Sequence, residues 1–542
     1  MRDIPRPAVW QARLRSGHAC RGLLMGQVLF DNQDTVPVRC SVRDFVEFLL
    51  RSGDIDSRSA RKDPDTMREG AEMHRRLQKE QGGSYAAEVP LSNTSLVTYG
   101  RFTFALTVEG RADGILTVPQ GDYGIPPLES VTLITEDKTV LPFALDTSMI
   151  DEIKTMLRDV GKLTAPVPEH LAQAKCYAYF YCMKEDLDRI AVRMTYVTLG
   201  SGRRNYFIGI YTRAELTDWY YDLCREYARF EEWRLEHLNA RNASIRAMEF
   251  PFPYRPGQDT LVKNVYRTIL RERKLFLEAP TGVGKTISTV YPAVKSMGEG
   301  LTEKIFYLTA KTITRTVAEE TFTLLTDRGL VFLPITITAK EKMCVLQKPE
   351  CNPESCPRAK GHFDRINEAL YAMLSTLVES LSNTALSTDV ENPSEPIDAE
   401  AAAESTSSRK GLLFSRDMIL SYAEKYQVCP YEMSLDLALF ADAVICDYNY
   451  AFDPEVYFRR FFAGEVRRNY TMLIDEAHNL VERAREMYSA ALIKEDFLTA
   501  KAEMAFYPPA AKALQSCNRA MLTIKQTHEG FSEMELPDSF CT

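Results

Sequence analysis

The run Lys274 to Thr286 (KLFLEAPTGVGKT) places an apolar stretch, expected to form a strand, before Ala279-Pro-Thr-Gly-Val-Gly-Lys-Thr286, with a helix expected to begin by Ile287. This is the pattern of a phosphate-cradling P-loop with Ala in place of its first Gly. Gly282 and Gly284 let backbone N–H groups turn inward around phosphate oxygens at the positive end of the following helix, with Thr281 and Val283 completing the loop. Lys285 brings a point charge to the β- and γ-phosphates, and the Thr286 hydroxyl can ligate Mg²⁺. Such a loop needs a carboxylate partner. Tyr470 to Leu480 (YTMLIDEAHNL) supplies one at the end of another apolar run, Asp475 to hold Mg²⁺ and Glu476 to orient the attacking water. ATP with Mg²⁺ is the expected ligand.

The stretch between Lys285 and Asp475 is longer than one nucleotide-binding fold requires, so something is inserted. Within it stand Cys344, Cys351 and Cys356, and then, after a long gap, Cys429. Four thiolates can bind Zn²⁺ or an iron–sulfur cluster, although the paired C-x2-C knuckles of structural zinc are absent. Spacing alone leaves iron–sulfur, zinc and ordinary buried thiols open.

The N-terminal half carries a different pattern. Val108 to Ile115 (VEGRADGI) and Leu133 to Val140 (LITEDKTV) each read as a strand bearing acids. Residues two apart on a strand share a face, so Glu136 and Lys138 project together while Asp137 points away. Asp113 with Glu136-x-Lys138 could hold Mg²⁺ or Mn²⁺ on the carboxylates, with Lys138 positioning water or stabilising charge at a phosphorus. Exposed strand charges would give the same pattern.

These motifs resemble known families. Asp475-Glu-Ala-His478 is similar to the DEAH box of superfamily 2 helicases, in which the His, here His478, couples hydrolysis to nucleic-acid engagement. Tyr254-Arg-Pro-Gly-Gln258 resembles their adenine-reading motif, which would make Arg255 and Gln258 base contacts. Tyr307 to Arg315 (YLTAKTITR) stands at the place of their phosphate-holding motif Ia. With four cysteines inserted after it, then Cys429-Pro-Tyr-Glu432 and Val444 to Tyr450 (VICDYNY), the chain resembles the DinG and XPD family of iron–sulfur DNA helicases. That resemblance implies a 4Fe–4S cluster on Cys344, Cys351, Cys356 and Cys429, and single-stranded and forked DNA as partners. The Asp113 constellation is that of PD-(D/E)XK nucleases. Gly70 to His74 upstream and Gln173 to Tyr177 downstream resemble the His ligand and Q-x3-Y motif of RecB-type nucleases, which implies a nuclease metal on His74, Asp113 and Glu136.

These residues need a scaffold of several domains. The chain has 542 residues, enough for three or four domains at roughly 100 to 200 residues each. Hydrophobic residues at 45% and charged residues at 26% exclude a wholly disordered or collagen-like chain. The expected class is α/β: a restriction-endonuclease-like domain over 37–247 after an extension at 1–36, then a RecA-like helicase domain at 248–340 and 436–482. The cluster insertion would occupy 341–435 and the start of a helical Arch domain 483–542, with helical stretches at Thr499 to Phe506 and Ala510 to Leu522. Residues Ala214 to Ala247 read as one long helix whose apolar face is core. The second RecA-like domain of such a motor is missing, so an incomplete chain is expected, or a partner supplying that half.

The net charge of −9 by itself disfavours DNA, yet the tract Ser387 to Ser408 holds six acids and no base, so the rest is nearly balanced. That tract (loop 387–408) is expected to be disordered. No apolar run is long enough to span a membrane, no signal peptide is evident, and the twelve cysteines fit free thiols or metal ligands. A cytoplasmic monomer is expected. The leading reading is an ATP-dependent DNA helicase of repair or recombination with an N-terminal nuclease domain. Its rivals are a metal-dependent DNA nuclease with an accessory ATPase, and an ATP- and DNA-binding module without turnover.

Overall fold

In the computed structural model of the protein, which describes residues 35–58, 64–81, 85–117, 131–133, 148–280, 282–310, 312–386, 414–463, 468–504 and 508–527, the N-terminal strands are Val36–Ser41 (β1), Tyr85–Tyr99 (β2), Phe102–Leu116 (β3), Val131–Leu133 (β4), Met149–Met156 (β5), Arg189–Thr198 (β6) and Arg204–Thr212 (β7). They form a mixed sheet in the order β1-β3-β5-β6-β7-β4, with β2 also paired to β3. β3 is long enough to serve three neighbours: it pairs antiparallel with β2 throughout, parallel with β1 over Phe104 to Glu109 and antiparallel with β5 over Gly114 to Leu116.

Helices cover this sheet. Val42–Leu50 (α1) starts on a Ser41 side chain that accepts from the Asp44 N–H at 3.0 Å. Pro64–Glu80 (α2) carries His74, and Pro168–Glu185 (α3), opened by its proline, carries Gln173 and Tyr177. Arg213–Ala247 (α4) begins with a reciprocal cap in which Thr212 and Glu215 satisfy each other's backbone N–H. The core between sheet and helices is aromatic: Tyr179 stacks on Tyr220 at 4.5 Å, and Cys176, Cys182 and Cys224 are buried among these rings.

A second sheet is wholly parallel, in the order β11-β8-β10-β9, from Lys304–Thr309 (β8), Pro334–Thr336 (β9), Ala443–Asp447 (β10) and Tyr470–Ile474 (β11). Every residue of β8 is buried, as a strand covered on both faces requires. Gln258–Leu270 (α5), Lys285–Gly298 (α6) and Thr312–Asp327 (α7) accompany it. Between β9 and β10 run Lys340–Met343 (α8), His362–Leu386 (α9) and the helices Arg416–Tyr426 and Pro430–Phe440. The strand expected over Lys274 to Glu278 does not form. The segment pairs with no strand among the described residues, and Phe276 is 90% exposed. An apolar run becomes a strand only where a neighbour takes its backbone hydrogen bonds, and among the described residues no strand does so here.

The chain divides into two compact units, Met1–Asp447 with Ala463–Asp475 and Tyr448–Phe462 with Glu476–Thr542. Both sheets belong to the first. α4 serves both of its cores, with Tyr220 and Leu223 in one and Ile245 in the other. The second unit is helical, with Leu480–Met487, Lys494–Glu503 and Pro508–Thr527 as its longer helices, the last two at the place of the expected helical stretches. Within it Tyr450 stacks on Phe458 at 4.6 Å and Arg483 donates to the Asn449 side chain at 2.8 Å. No helix among the described residues is long and apolar enough to cross a membrane. The 1–34 part of the N-terminal extension and the acidic tract 387–408 lie outside the described residues.

Candidate functional site

The phosphate loop is built on left-handed backbone. Gly282 has φ 85° and Gly284 φ 75°, values that β-carbon sterics disfavour, and α6 starts at the next residue, Lys285. Lys285 Nζ donates to the Ala279 carbonyl at 3.2 Å, across the loop it closes. Arg255 and Gln258 brace the loop: Gln258 Nε2 donates to the Val283 carbonyl at 3.1 Å and to Ser288 Oγ at 3.0 Å, Gln258 Oε1 accepts the Arg255 N–H at 3.0 Å, and the Arg255 guanidinium donates to the Gly282 carbonyl. Thr286 is half-buried in the first turn of α6, and Thr281 lies outside the described residues.

Asp475 directly follows β11, its N–H donating to the Leu308 carbonyl of β8 at 2.9 Å. Glu476 and His478 begin the stretch of the second unit that follows. Glu476 takes a left-handed φ of 50°, and its carboxylate lies 3.4 Å from His478 Nδ1, both side chains open to solvent.

The four inserted cysteines line one pocket, together with Ile55, Lys340, Arg358 and Tyr431. Cys344 follows α8, Cys351 and Cys356 stand on the irregular segment before α9, and Cys429 caps the helix Pro430–Phe440. The fold thus closes the long sequence gap before Cys429. Burial pushes the Cys429 thiol up to about 11. Its N–H donates to His362 Nδ1 at 3.1 Å, and burial lowers His362 to about 4.

A third group sits where β3 and β5 meet under α3. Glu136 and Lys138 lie outside the described residues. The structure brings a second E-x-K pair beside Asp113: Glu152 Oε1 is 2.8 Å from Lys154 Nζ, which also donates to Gln173 Oε1 at 2.9 Å. Asp113 Oδ2 accepts the Ile153 N–H at 2.7 Å, and His74 Nδ1 lies 3.9 Å from its other oxygen. Burial first, and then the Asp113 carboxylate, raise the Glu152 carboxyl well above the ordinary range. Glu152 Oε2 is buried with no hydrogen-bond partner. Tyr177 packs on the backbone of β3, where a side chain at Gly110 would collide with its hydroxyl.

The neighbouring Asp151 points to the other face and is fully engaged, with Arg193 at 2.9 and 2.8 Å, Thr195 at 2.6 Å and Tyr85 at 3.0 Å. It is a structural ion pair, which leaves Glu152 as the acid turned toward Asp113. Sequence reasoning passed over Glu152 and Lys154. The signal was present in Met149 to Met156 (MIDEIKTM), where apolar Met149, Ile150 and Ile153 mark a buried strand, whereas TEDKT around Glu136 is polar throughout. Among the described residues, no group of three or more His, Cys, Asp or Glu side chains is drawn together closely enough to hold a metal ion as it stands.

A parallel sheet with a P-loop ahead of one helix and an acid at the end of β11 has the makings of a RecA-like nucleotide-binding core. Sequence comparison is more specific: residues 309–497 match the DEAD_2 family model. The chain is 32% identical over 88 residues to the Fanconi anemia group J protein homolog of Gallus gallus, a match covering 16% of this chain and 7% of that one. It is 33% identical over 82 residues to the regulator of telomere elongation helicase 1 homolog of Anopheles gambiae, covering 15% and 8%. The matched part is therefore less than a tenth of either relative's length. Among solved structures an XPD helicase shares 18% identity at a TM-score of 0.27, over 46% of this chain and 37% of that one. Over residues 309–497 the chain is thus similar to the DEAD_2 model, and in shorter stretches to the two curated relatives.

Proposed function

We propose that this chain is the ATP-hydrolysing part of a Rad3-like DNA helicase acting in repair or recombination. The observation that carries the reading is the P-loop braced by Arg255 and Gln258 in a chain whose residues 309–497 match the DEAD_2 model. Lys285 and the loop N–H groups bind the β- and γ-phosphates of ATP, Thr286 and Asp475 hold Mg²⁺, Glu476 orients the attacking water and His478 relays the state of the site to bound DNA. Arg255 and Gln258 set the loop's shape, and their adenine contacts remain part of the proposal. Magnesium supplies charge neutralisation on the phosphates. The test is ATP hydrolysis with and without single-stranded DNA. DNA-stimulated turnover that Lys285→Ala abolishes is expected, and turnover insensitive to that change removes the reading.

The four cysteines on one pocket suit a 4Fe–4S cluster in their donor chemistry, and holding one would require their sulfurs to come closer together than they stand. Such a cluster supplies a rigid cross-link of the inserted segment where a duplex would part. Absorbance near roughly 400 nm with stoichiometric iron in anaerobically purified protein supports this; a colourless protein holding zinc overturns it.

A second activity is favoured by one specific observation, the buried and unpartnered Glu152 Oε2 beside Asp113. A divalent cation there satisfies an oxygen that otherwise bears the cost of burial. The proposed nuclease site is Asp113, Glu152 and Lys154, with His74 as a further ligand and Gln173 and Tyr177 positioning Lys154 and β3. Mg²⁺ or Mn²⁺ supplies Lewis acidity at the phosphate. Lys154 Nζ, held by Glu152 and Gln173, would position the attacking water or stabilise charge at the phosphorus. Manganese-dependent cleavage of single-stranded DNA tests it.

A further inference from the structure

The segment following α1, Arg51 to Arg58, leaves the first sheet and lies along the inserted cysteine region. Ser57 donates twice to the carbonyl of Cys351, from its N–H at 2.8 Å and its hydroxyl at 3.1 Å. The Ile55 N–H donates to the Ala359 carbonyl at 2.9 Å, and Asp54 Oδ1 accepts the Gly361 N–H at 2.6 Å. Gly53 exchanges two bonds with the start of α9, its carbonyl accepting from Phe363 at 3.0 Å and its N–H donating to Asp364 at 2.8 Å. Ion pairs close both ends of the segment, Arg51 with Asp436 at 2.8 Å and Arg58 with Glu354 at 2.7 Å. Between these anchors the Ile55 side chain forms part of the wall of the four-cysteine pocket.

The cysteine loop has little structure of its own. From Cys344 to Gly361 it forms neither helix nor strand, and beyond its internal turn bonds, such as the Cys356 N–H to the Asn352 carbonyl at 3.0 Å, other backbone groups need partners from outside it. The N-terminal segment provides them at Cys351, Ala359 and Gly361. We propose that Asp54–Ser57 is a strap by which the N-terminal domain closes the cysteine pocket, Ile55 excluding water and Ser57 fixing the backbone of Cys351. The inference rests on the reading of these cysteines as cluster ligands. A thiolate or bridging sulfide is attacked by electrophiles and oxygen, and cluster iron is taken by chelators, in proportion to access, and groups that orient a ligand tune how firmly metal is held. The N-terminal domain then contributes to the cluster's lifetime, whatever its own activity.

Two measurements test the strap, one without metal. In the metal-free full chain, alkylation of Cys344, Cys351, Cys356 and Cys429 is followed by mass spectrometry for wild type, Ile55→Ser, Asp54→Ala and, as a control on the exposed edge of β2, Leu96→Ser. In the iron-loaded full chain, loss of absorbance is followed in air with a chelator. The strap variants are expected to react and bleach about tenfold faster, the low end for groups that orient metal ligands. Leu96→Ser should match wild type, and all variants should keep the wild-type melting temperature. Equal rates in the strap variants and wild type, in either measurement, overturn the strap. Wild type that takes up no iron or sulfide on reconstitution overturns the cluster reading instead, and faster alkylation in Ile55→Ser then still supports the strap.

Discussion

His237 Nε2 on α4 lies 2.8 Å from Asp442 Oδ2 at the foot of β10, although 205 residues separate them in the chain. Arg241, one turn further along α4, reaches the other oxygen of the same carboxylate at 2.7 Å. Asp442 also accepts the Leu333 N–H at 2.9 Å, so one buried acid joins the long helix, the parallel sheet and the connection into β9. Trp233 extends the join, stacking on His237 and donating from its indole N–H to the Leu374 carbonyl at 2.8 Å. α4 is therefore shared structure: its first half completes the N-terminal core and its last turns belong to the nucleotide-binding sheet.

Stability should depend on that acid and on pH. Burial alone would raise the Asp442 carboxyl, but His237 and Arg241 outweigh it and hold the group well below the usual carboxylate range. A carboxyl depressed in the folded state contributes stability that is complete above its unfolded value of about 4 and lost as pH falls below it. Asp442→Asn leaves Arg241 buried without its counter-charge and should cost about 3–5 kcal/mol. Urea titrations at neutral pH should show that loss, and the variant's stability should change less than wild type's as pH drops below about 4. Equal midpoints for the two proteins at neutral pH would show that the join contributes nothing.

Lys285→Ala should lower DNA-stimulated ATP hydrolysis by about 100-fold or more, the scale for removing one charged donor from a transition state. The side chain spans the loop to the Ala279 carbonyl, so a structural effect must be separated from a chemical one. Binding of a fluorescent ATP analogue makes the separation. Retained binding with lost turnover marks the lysine as acting on the reacting phosphate.

How much of this was legible beforehand depended on whether neighbours in space were also neighbours in sequence. The P-loop was legible because Gly282, Gly284, Lys285 and Thr286 act through local backbone geometry. The bracing by Arg255 and Gln258 was not, since their partners Gly282, Val283 and Ser288 are set by how α5 meets α6. The apolar run Leu275 to Leu277 read as a strand because periodicity is silent about whether a pairing edge exists. The strap escaped notice for a related reason: Ser57 and Cys351 meet through backbone atoms, which carry no residue signature.

Cys356→Ser should remove iron and labile sulfide together, because a cluster held by four thiolates is not retained at full occupancy by three. Cys517→Ser, on the helix Pro508–Thr527 outside the pocket, should keep the wild-type iron content. Elemental analysis of anaerobically purified proteins is the measurement. Equal iron in both variants would exclude Cys356 as a ligand.

The acidic site offers the sharpest choice, because two E-x-K pairs compete for one role. Glu136-x-Lys138 and Glu152-x-Lys154 have the same spacing, and alternation on β5 puts Glu152 and Lys154 on one face. Tertiary neighbours favour the second: Lys154 is held by Gln173 from α3, Asp113 is held by the Ile153 N–H, and the free oxygen of Glu152 is buried beside it. Glu152→Gln keeps the shape and removes the charge that would bind a cation, so manganese-dependent cleavage of single-stranded DNA should fall by about 100-fold or more. The buried position should also become easier to satisfy, since a neutral amide replaces a carboxyl whose ionisation burial and Asp113 oppose. Thermal stability without metal should therefore hold or rise in Glu152→Gln while stabilisation by added Mn²⁺ disappears. A cleavage loss carried by Glu136→Gln, with Glu152→Gln still active and still stabilised by Mn²⁺, would return the role to the earlier pair in the chain.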